Sequence, residues 1–284
     1  MAKVKAIVHG AVSLVSAIAT RKGATLGISL AVEAIVETSP GKGIIIQSKN
    51  KTLSSRLINK TIEKILTKKE LEQNKITISL ESEIPTGYGL KSSSAISSAI
   101  ALACAKIFKP KLTDQQILLA GIDASIETKV SITGAYDDAC SCYFGGFNVT
   151  DNSKRKIIHT EKIPANLMAI IFIPKNRKRG NVKNLKTLSS VFDNAWKLAR
   201  NSNYWEAMII NGLATSAILN SDPKILVNLL EKGAIAASIS GNGPAIAAIV
   251  KNENEQNVKK VFASLDGNII VSKVNNKKAE VYEL

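Results

Sequence analysis

Residues Pro85-Thr-Gly-Tyr-Gly-Leu-Lys-Ser-Ser-Ser-Ala95 bring together the groups an anion binds to. Gly87 and Gly89 lack Cβ atoms, so the backbone there can take positive φ and turn its N–H groups inward as a nest. Ser92, Ser93 and Ser94 follow at the point where Ile96, Ile100, Ala103 and Ile107 begin to recur at helical spacing, which puts the serines at a helix N-terminus. Orphan N–H donors and the positive end of the helix dipole, about half a unit charge, collect there. Phosphate oxygens would be held by such a turn, and its hydroxyls could reach a magnesium ion. A serine N-cap behind a glycine turn would look the same and bind nothing. The loop is not a Walker A motif, because Gly-x-x-x-x-Gly-Lys-Ser/Thr cannot be laid over it.

A second group is the adjacent pair Asp137-Asp138, upstream of Gly145-Gly146. Neighbouring carboxylates can take protons in catalysis, cap a helix, or form surface ion pairs. A third is Ser238-Ile-Ser-Gly-Asn-Gly-Pro-Ala245, a turn between two short apolar runs. Only His9 and His159 are present, so mechanisms that need several histidines are excluded. Cys104, Cys140 and Cys142 lack the spacing of a zinc site and fit a reducing, cytoplasmic setting.

The elements that must hold these groups can be read around them. Short β-rich runs at Ala6–Val8 and Ile28–Glu37 are followed by the turn Ser39–Gly43 and a strand at Ile44–Ser48. Leu53, Leu57, Ile58, Ile62, Ile65 and Leu66 recur as in a helix, whereas Ile76, Ile78 and Leu80 alternate as in a half-buried strand leading into the loop. Thr113-Asp-Gln-Gln116 is a capping box that opens a further helix, with Glu127 near its end. The apolar run Ala6 to Ala19 is broken by His9, Gly10, Ser13 and Ser16, and reads as a pair of buried strands rather than a targeting or membrane segment. The polar stretch Asp151 to Lys156 marks a boundary between residues 1–152 and 153–284. Beyond it come a strand at Ala169–Ile173 and helices through Leu188–Arg200, Trp205–Leu219 and Lys224–Lys232. A strand pair around Ser240–Pro244, a helix at Asn254–Leu265 and a strand at Asn268–Ser272 complete the second half. Helices over an antiparallel sheet give an α+β class.

With 284 residues, 45% hydrophobic and 21% charged, the chain has the composition of an ordered globular protein. Its formal charge of +15 could attract nucleic acid, an anionic membrane or a polyanionic small substrate. The basic residues are spread along the chain, apart from Lys175, Arg177, Lys178 and Arg179, and aromatic residues make up only 5%, so a stacking platform for single strands is not expected.

The pattern Pro85-x-x-x-Gly89-Leu90-x-Ser92-Ser93 resembles the signature of the GHMP kinases, the superfamily of galactokinase, homoserine kinase and mevalonate kinase. The usual pattern has Gly where this chain has Lys91 and Ala where it has Ser94. Gly-Leu-Lys-Ser-Ser-Ser is similar to the loop of the archaeal-type shikimate kinases within that superfamily. Thr133 to Gly146 resembles the catalytic segment of that branch, and Ser238 to Ala245 resembles the late glycine-rich motif that closes over the active site.

The resemblance implies an N-terminal domain like the second domain of ribosomal protein S5 and a ferredoxin-like C-terminal domain. It implies transfer of the ATP γ-phosphate, with Mg²⁺, to the 3-hydroxyl of the small molecule shikimate in aromatic amino acid biosynthesis. ATP would lie on Pro85, Thr86, Gly87, Tyr88, Gly89, Leu90, Lys91, Ser92, Ser93, Ser94 and Ala95, with Gly241 and Gly243 closing over it. Magnesium would be held by Ser93, or Ser92, and by Glu127, which stands eleven residues before Asp138. Asp138, seven residues before Gly145, would be the base, with Asp137 its competitor. Arg21, Lys22 and the Lys175–Arg179 cluster are the candidates for the substrate carboxylate. Homoserine or mevalonate kinase, a basic nucleic-acid-binding protein and a catalytically dead relative are the competing readings.

Overall fold

The computed structural model describes residues 1–48, 54–131 and 134–284. Leu53 of the first expected helix and Thr133 of the Asp-Asp segment lie outside the described residues.

The apolar run near the N-terminus, expected as two strands, is one: β1 spans Ala2–Val15 and pairs antiparallel with β2, Lys22–Pro40. Shifts of register at His9/Gly10 and Ser13/Val15 let this long ribbon bend without being cut. β2 is long enough to serve two partners. Its Val32–Pro40 stretch pairs with β4, Asn74–Ser82, and its Lys22–Leu26 stretch with β5, Phe147–Asp151. β3, Gly43–Ser48, adds parallel to β4, and β6, Lys156–Glu161, adds antiparallel to β5. The last strand, β11, Glu280–Glu283, returns to the free edge of β1. The β5–β6 hairpin therefore straddles the expected 152/153 boundary, and the C-terminus belongs to the first sheet.

Four helices cover this sheet: α1 (Ser55–Ile65), α3 (Ser92–Phe108), α4 (Asp114–Glu127) and α5 (Tyr136–Phe144), after a short α2 (Lys68–Gln73) that leads into β4. α3 is apolar or small on every side and is buried from Ser92 to Ala105 apart from Ser93, as expected of a central helix packed on all faces. The second, antiparallel sheet has the order β10-β7-β9-β8, from Gly267–Lys273, Leu167–Pro174, Ile246–Lys251 and Ala236–Ile239. On β7 alternate residues face opposite ways. Ile170 and Phe172 pack with Leu226, Leu229, Val258 and Phe262 of α8 (Pro223–Glu231) and α9 (Glu255–Ala263), while Ala169, Ile171 and Ile173 join the main core. α6 (Ser189–Arg200) and α7 (Tyr204–Leu219) contact both β1 and, through α7, β8, so the two sheets share one large core.

Candidate active site

The helices around the loop begin differently from those capped by side chains. α1 is capped by Ser54, α2 by a Thr67–Glu70 box, α4 by the Thr113–Gln116 box, and α8 by Asp222. α3, α5, α6, α7 and α9 lack a side-chain cap, but among the described residues only α3 and α5 start from a left-handed residue, Lys91 (φ 66°, ψ 22°) and Ala135 (φ 50°, ψ 47°). Ser92, Ser93 and Ser94 are thus the first helical residues, not caps, and the first N–H groups of α3 face a cleft. The same cleft is lined by Gly87, Gly89, Lys91, Asp137, Asp138 and Gly241.

A left-handed backbone costs a non-glycine residue about 1–2 kcal/mol. At Lys91 the side chain supplies the compensation. It is almost entirely buried, donates from Nζ to Ser13 Oγ at 2.8 Å, and places the same Nζ 2.8 Å from Asp138 Oδ1. A buried ammonium in such contact balances the charge of the carboxylate and, with one N–H given to Ser13, still has donors for the cleft.

The two aspartates, equivalent in the sequence, are not equivalent in space. Asp137 is only 3% exposed and is enclosed by partners. Asn152 donates from Nδ2 to its Oδ1 at 2.7 Å, its backbone N–H donates to Asn152 Oδ1, and Thr25 donates to its carbonyl at 2.9 Å. A Cβ on Gly23 would stand 2.3 Å from Asp137 Oδ2, so β2 carries glycine where the carboxylate presses on it. Burial, and then the charge of Asp138, push the Asp137 carboxyl well above the usual carboxylate range. Asp138 keeps one side open to the cleft, and its Oδ1 accepts no aligned hydrogen bond.

Two glycine loops close the cleft as one unit. Ala245 donates from its N–H to the Tyr88 carbonyl, Ser240 donates from Oγ to the Gly89 carbonyl at 2.8 Å, and the Ser13 N–H donates to Ser240 Oγ. A Cβ on Gly89 would fall 1.9 Å from the Ser240 carbonyl oxygen, and one on Gly241 would fall 2.7 Å from Lys91 Nζ. The chain after β7 straps this pair together: Arg177 stacks over the Tyr88 ring at 4.5 Å, and Arg179 donates to the Asn242 and Gly243 carbonyls, each at 2.7 Å.

Residues 56–146 match the model of the GHMP kinases N terminal domain, and residues 194–266 that of the GHMP kinases C terminal domain. The chain belongs to the GHMP kinases. Curated relatives include a shikimate kinase of Methanobrevibacter smithii, 35% identical over 94% of this chain and 95% of its own length. Others are a shikimate kinase of Methanosarcina acetivorans, 36% identical over 96% and 95%, and one of Pyrococcus furiosus, 31% identical over 92% and 96%. In fold it is similar to a homoserine kinase of Cytophaga hutchinsonii (TM-score 0.78, 19% identity, 99% and 98% covered) and the mevalonate kinase of Methanococcus jannaschii (0.77, 18%, 96% and 98%).

Within this GHMP kinase the structure gathers Gly87, Gly89, Lys91, Ser92, Ser93, Ser94, Asp137, Asp138 and Gly241 at one cleft. Leu90 and Ala95 are core residues behind it, Pro85, Thr86 and Tyr88 shape the loop outside it, and Gly243 packs on Ile239. Glu127 is not brought to the cleft. It ends α4 beside α1, where Lys64 donates to its Oε1 and Lys60 stands 3.8 Å from Oε2, and these cations hold it on the surface. Of the basic candidates, Lys22 donates to Asp193 and lies over the Trp196 ring, Arg21 sits outside the cleft, and Arg179 lines it. Among the described residues no group of three or more His, Cys, Asp or Glu side chains is placed to hold a metal ion, and no helix is long and apolar enough to cross a membrane. Ser13, near the end of β1, and Ser16, just after it, also line the cleft, and Asn152 positions Asp137. The signal for the serines was their interruption of an otherwise apolar run. Nothing local pointed to Asn152.

Proposed function

We propose that this GHMP kinase is a shikimate kinase, transferring the γ-phosphate of ATP to the 3-hydroxyl of shikimate. The reading rests on the curated relatives over nearly the whole chain, and the observation that carries the chemistry is the buried Lys91–Asp138 contact at the uncapped start of α3. Free N–H groups, three hydroxyls and an ammonium suit a triphosphate. The oxygen donors present, with Ser93 foremost, suit a magnesium ion that keeps part of its water shell. Bound there, Mg²⁺ would neutralise charge on the β- and γ-phosphates.

The roles follow from what each side chain touches. Asp138 accepts the proton of the attacking hydroxyl as the new O–P bond forms and the bond to ADP breaks. Lys91, 2.8 Å from that carboxylate, keeps it in place and offers N–H to the transferred group. Asp137, its carboxyl pushed up by burial and the neighbouring Asp138, fixes the first turn of α5 through Asn152. Arg179 supplies positive charge at the cleft for the anionic substrate. The test is ADP release with shikimate, homoserine or mevalonate as acceptor, with Mg²⁺ present and absent. Turnover with shikimate that needs Mg²⁺ is expected, and turnover with homoserine or mevalonate but not shikimate would overturn the substrate assignment. If nucleic acid were the partner instead, binding would weaken steeply with salt and survive Asp138→Asn.

A further inference from the structure

The geometry points to Ser13 as a direct hydrogen-bond donor to the γ-phosphate of bound ATP. This rests on the cleft being the triphosphate site of a kinase, not on which acceptor is used. A serine hydroxyl has two lone pairs and one hydrogen. At Ser13 both lone pairs are taken: Lys91 Nζ donates at 2.8 Å and the Gly241 N–H at 3.0 Å. The hydroxyl can therefore act only as a donor to anything further, and it has no acceptor among the described residues. It is 1% exposed, yet it lines the cleft. A buried O–H without an acceptor costs free energy unless a ligand supplies one.

The surroundings say which ligand atom that is. Ser13 lies between the Lys91 ammonium, two residues beyond Gly89, and the N–H of Gly241, at the junction of the two glycine loops. Donors converge there from three separate parts of the chain, and the carboxylate of Asp138 stands on the far side of the same ammonium. The point where donors meet beside the base is where the phosphoryl group must lie to be transferred. Both acceptor sites being saturated also orients the hydroxyl, so its hydrogen is aimed before the nucleotide arrives.

A residue that merely shaped the loops would support ADP and ATP binding alike, whereas a donor to the γ-phosphate distinguishes them. The experiment measures the affinities of ADP and of the β,γ-imido analogue of ATP by calorimetry for the wild-type chain, Ser13→Ala and Ser13→Thr, with thermal melting to check each fold. For Ser13→Ala the analogue is expected to bind about 10- to 100-fold more weakly, the range of a lost hydrogen bond to a charged group, with ADP within about two-fold. Ser13→Thr, which keeps the donor, should restore most of the difference. Ser13→Cys, of similar volume and with a weak donor, provides the same comparison if the alanine variant does not fold. Equal weakening of both nucleotides, or of neither, would overturn the assignment. Failure of the wild-type chain to phosphorylate shikimate would overturn the substrate reading and leave the nucleotide ratio to be judged separately.

Discussion

Asp137 and Asp138 share one sequence context but not one chemistry. Asp138 faces the cleft with Lys91 at 2.8 Å, so Asp138→Asn should retain the fold and ATP binding and lose about 10²–10⁴-fold in kcat, checked by calorimetry and the coupled ADP assay. Near-normal turnover would remove Asp138 from the base role. Asp137 should show itself in stability instead. Its folded-state pKa is raised, so the folded chain keeps this proton to higher pH than the unfolded chain does. Stability that is present at low pH is therefore lost as pH rises from the ordinary carboxylate range through the folded value. Asp137→Asn keeps an oxygen for Asn152 and removes that loss. Its Tm relative to the parent chain should rise between pH 5 and pH 8, and a difference that shrinks over that range would contradict the assignment. Lys91 shows how a departure from a family pattern can be read. The left-handed backbone explains why glycine is usual at that position, and the buried contacts of Nζ explain why a lysine is retained here.

Between elements the same sequence feature can have opposite purposes. Thr113 and the serines of α3 both stand at helix starts, but only Thr113 closes its helix. Thr113→Ala should cost about 1 kcal/mol in denaturant unfolding and leave nucleotide affinity unchanged. Gly89→Ala should do the reverse in emphasis. Its Cβ would meet the Ser240 carbonyl at 1.9 Å on a backbone at φ +88°, so the two glycine loops cannot stay joined. ATP affinity should fall ~10-fold or more, equivalent to ~1.4 kcal/mol, as read by calorimetry, and a variant that binds ATP normally would contradict the coupling of the loops. The glycine–serine loop and the strand–helix order around it were legible because glycine torsion, helical spacing and capping boxes are local properties. The partner switch along β2 was not, because it depends on which strands arrive beside it.

Across the whole molecule, β11 closes the edge of the first sheet from the far end of the chain, with Val4–Ile7 paired to Glu280–Glu283 and the Leu284 N–H donating to Lys3. Truncation after Ala279 should lower Tm, on the order of 2–4 °C for each kcal/mol lost, while calorimetry shows ATP binding retained, since the cleft lies elsewhere. A truncated chain as stable as the parent would deny β11 that part. By itself the sequence determined the glycine- and serine-rich turn at a helix start, most elements of both halves, and the resemblance to kinases, since these are written in short-range patterns. Only the tertiary structure decided that Asp137 is enclosed by Asn152 while Asp138 meets Lys91, that Glu127 is held away by Lys60 and Lys64, and that Ser13 meets Lys91 and Gly241 across 78 and 228 residues. Those outcomes are set by contacts between distant segments, where burial and competing charges choose among partners that the linear order leaves equal.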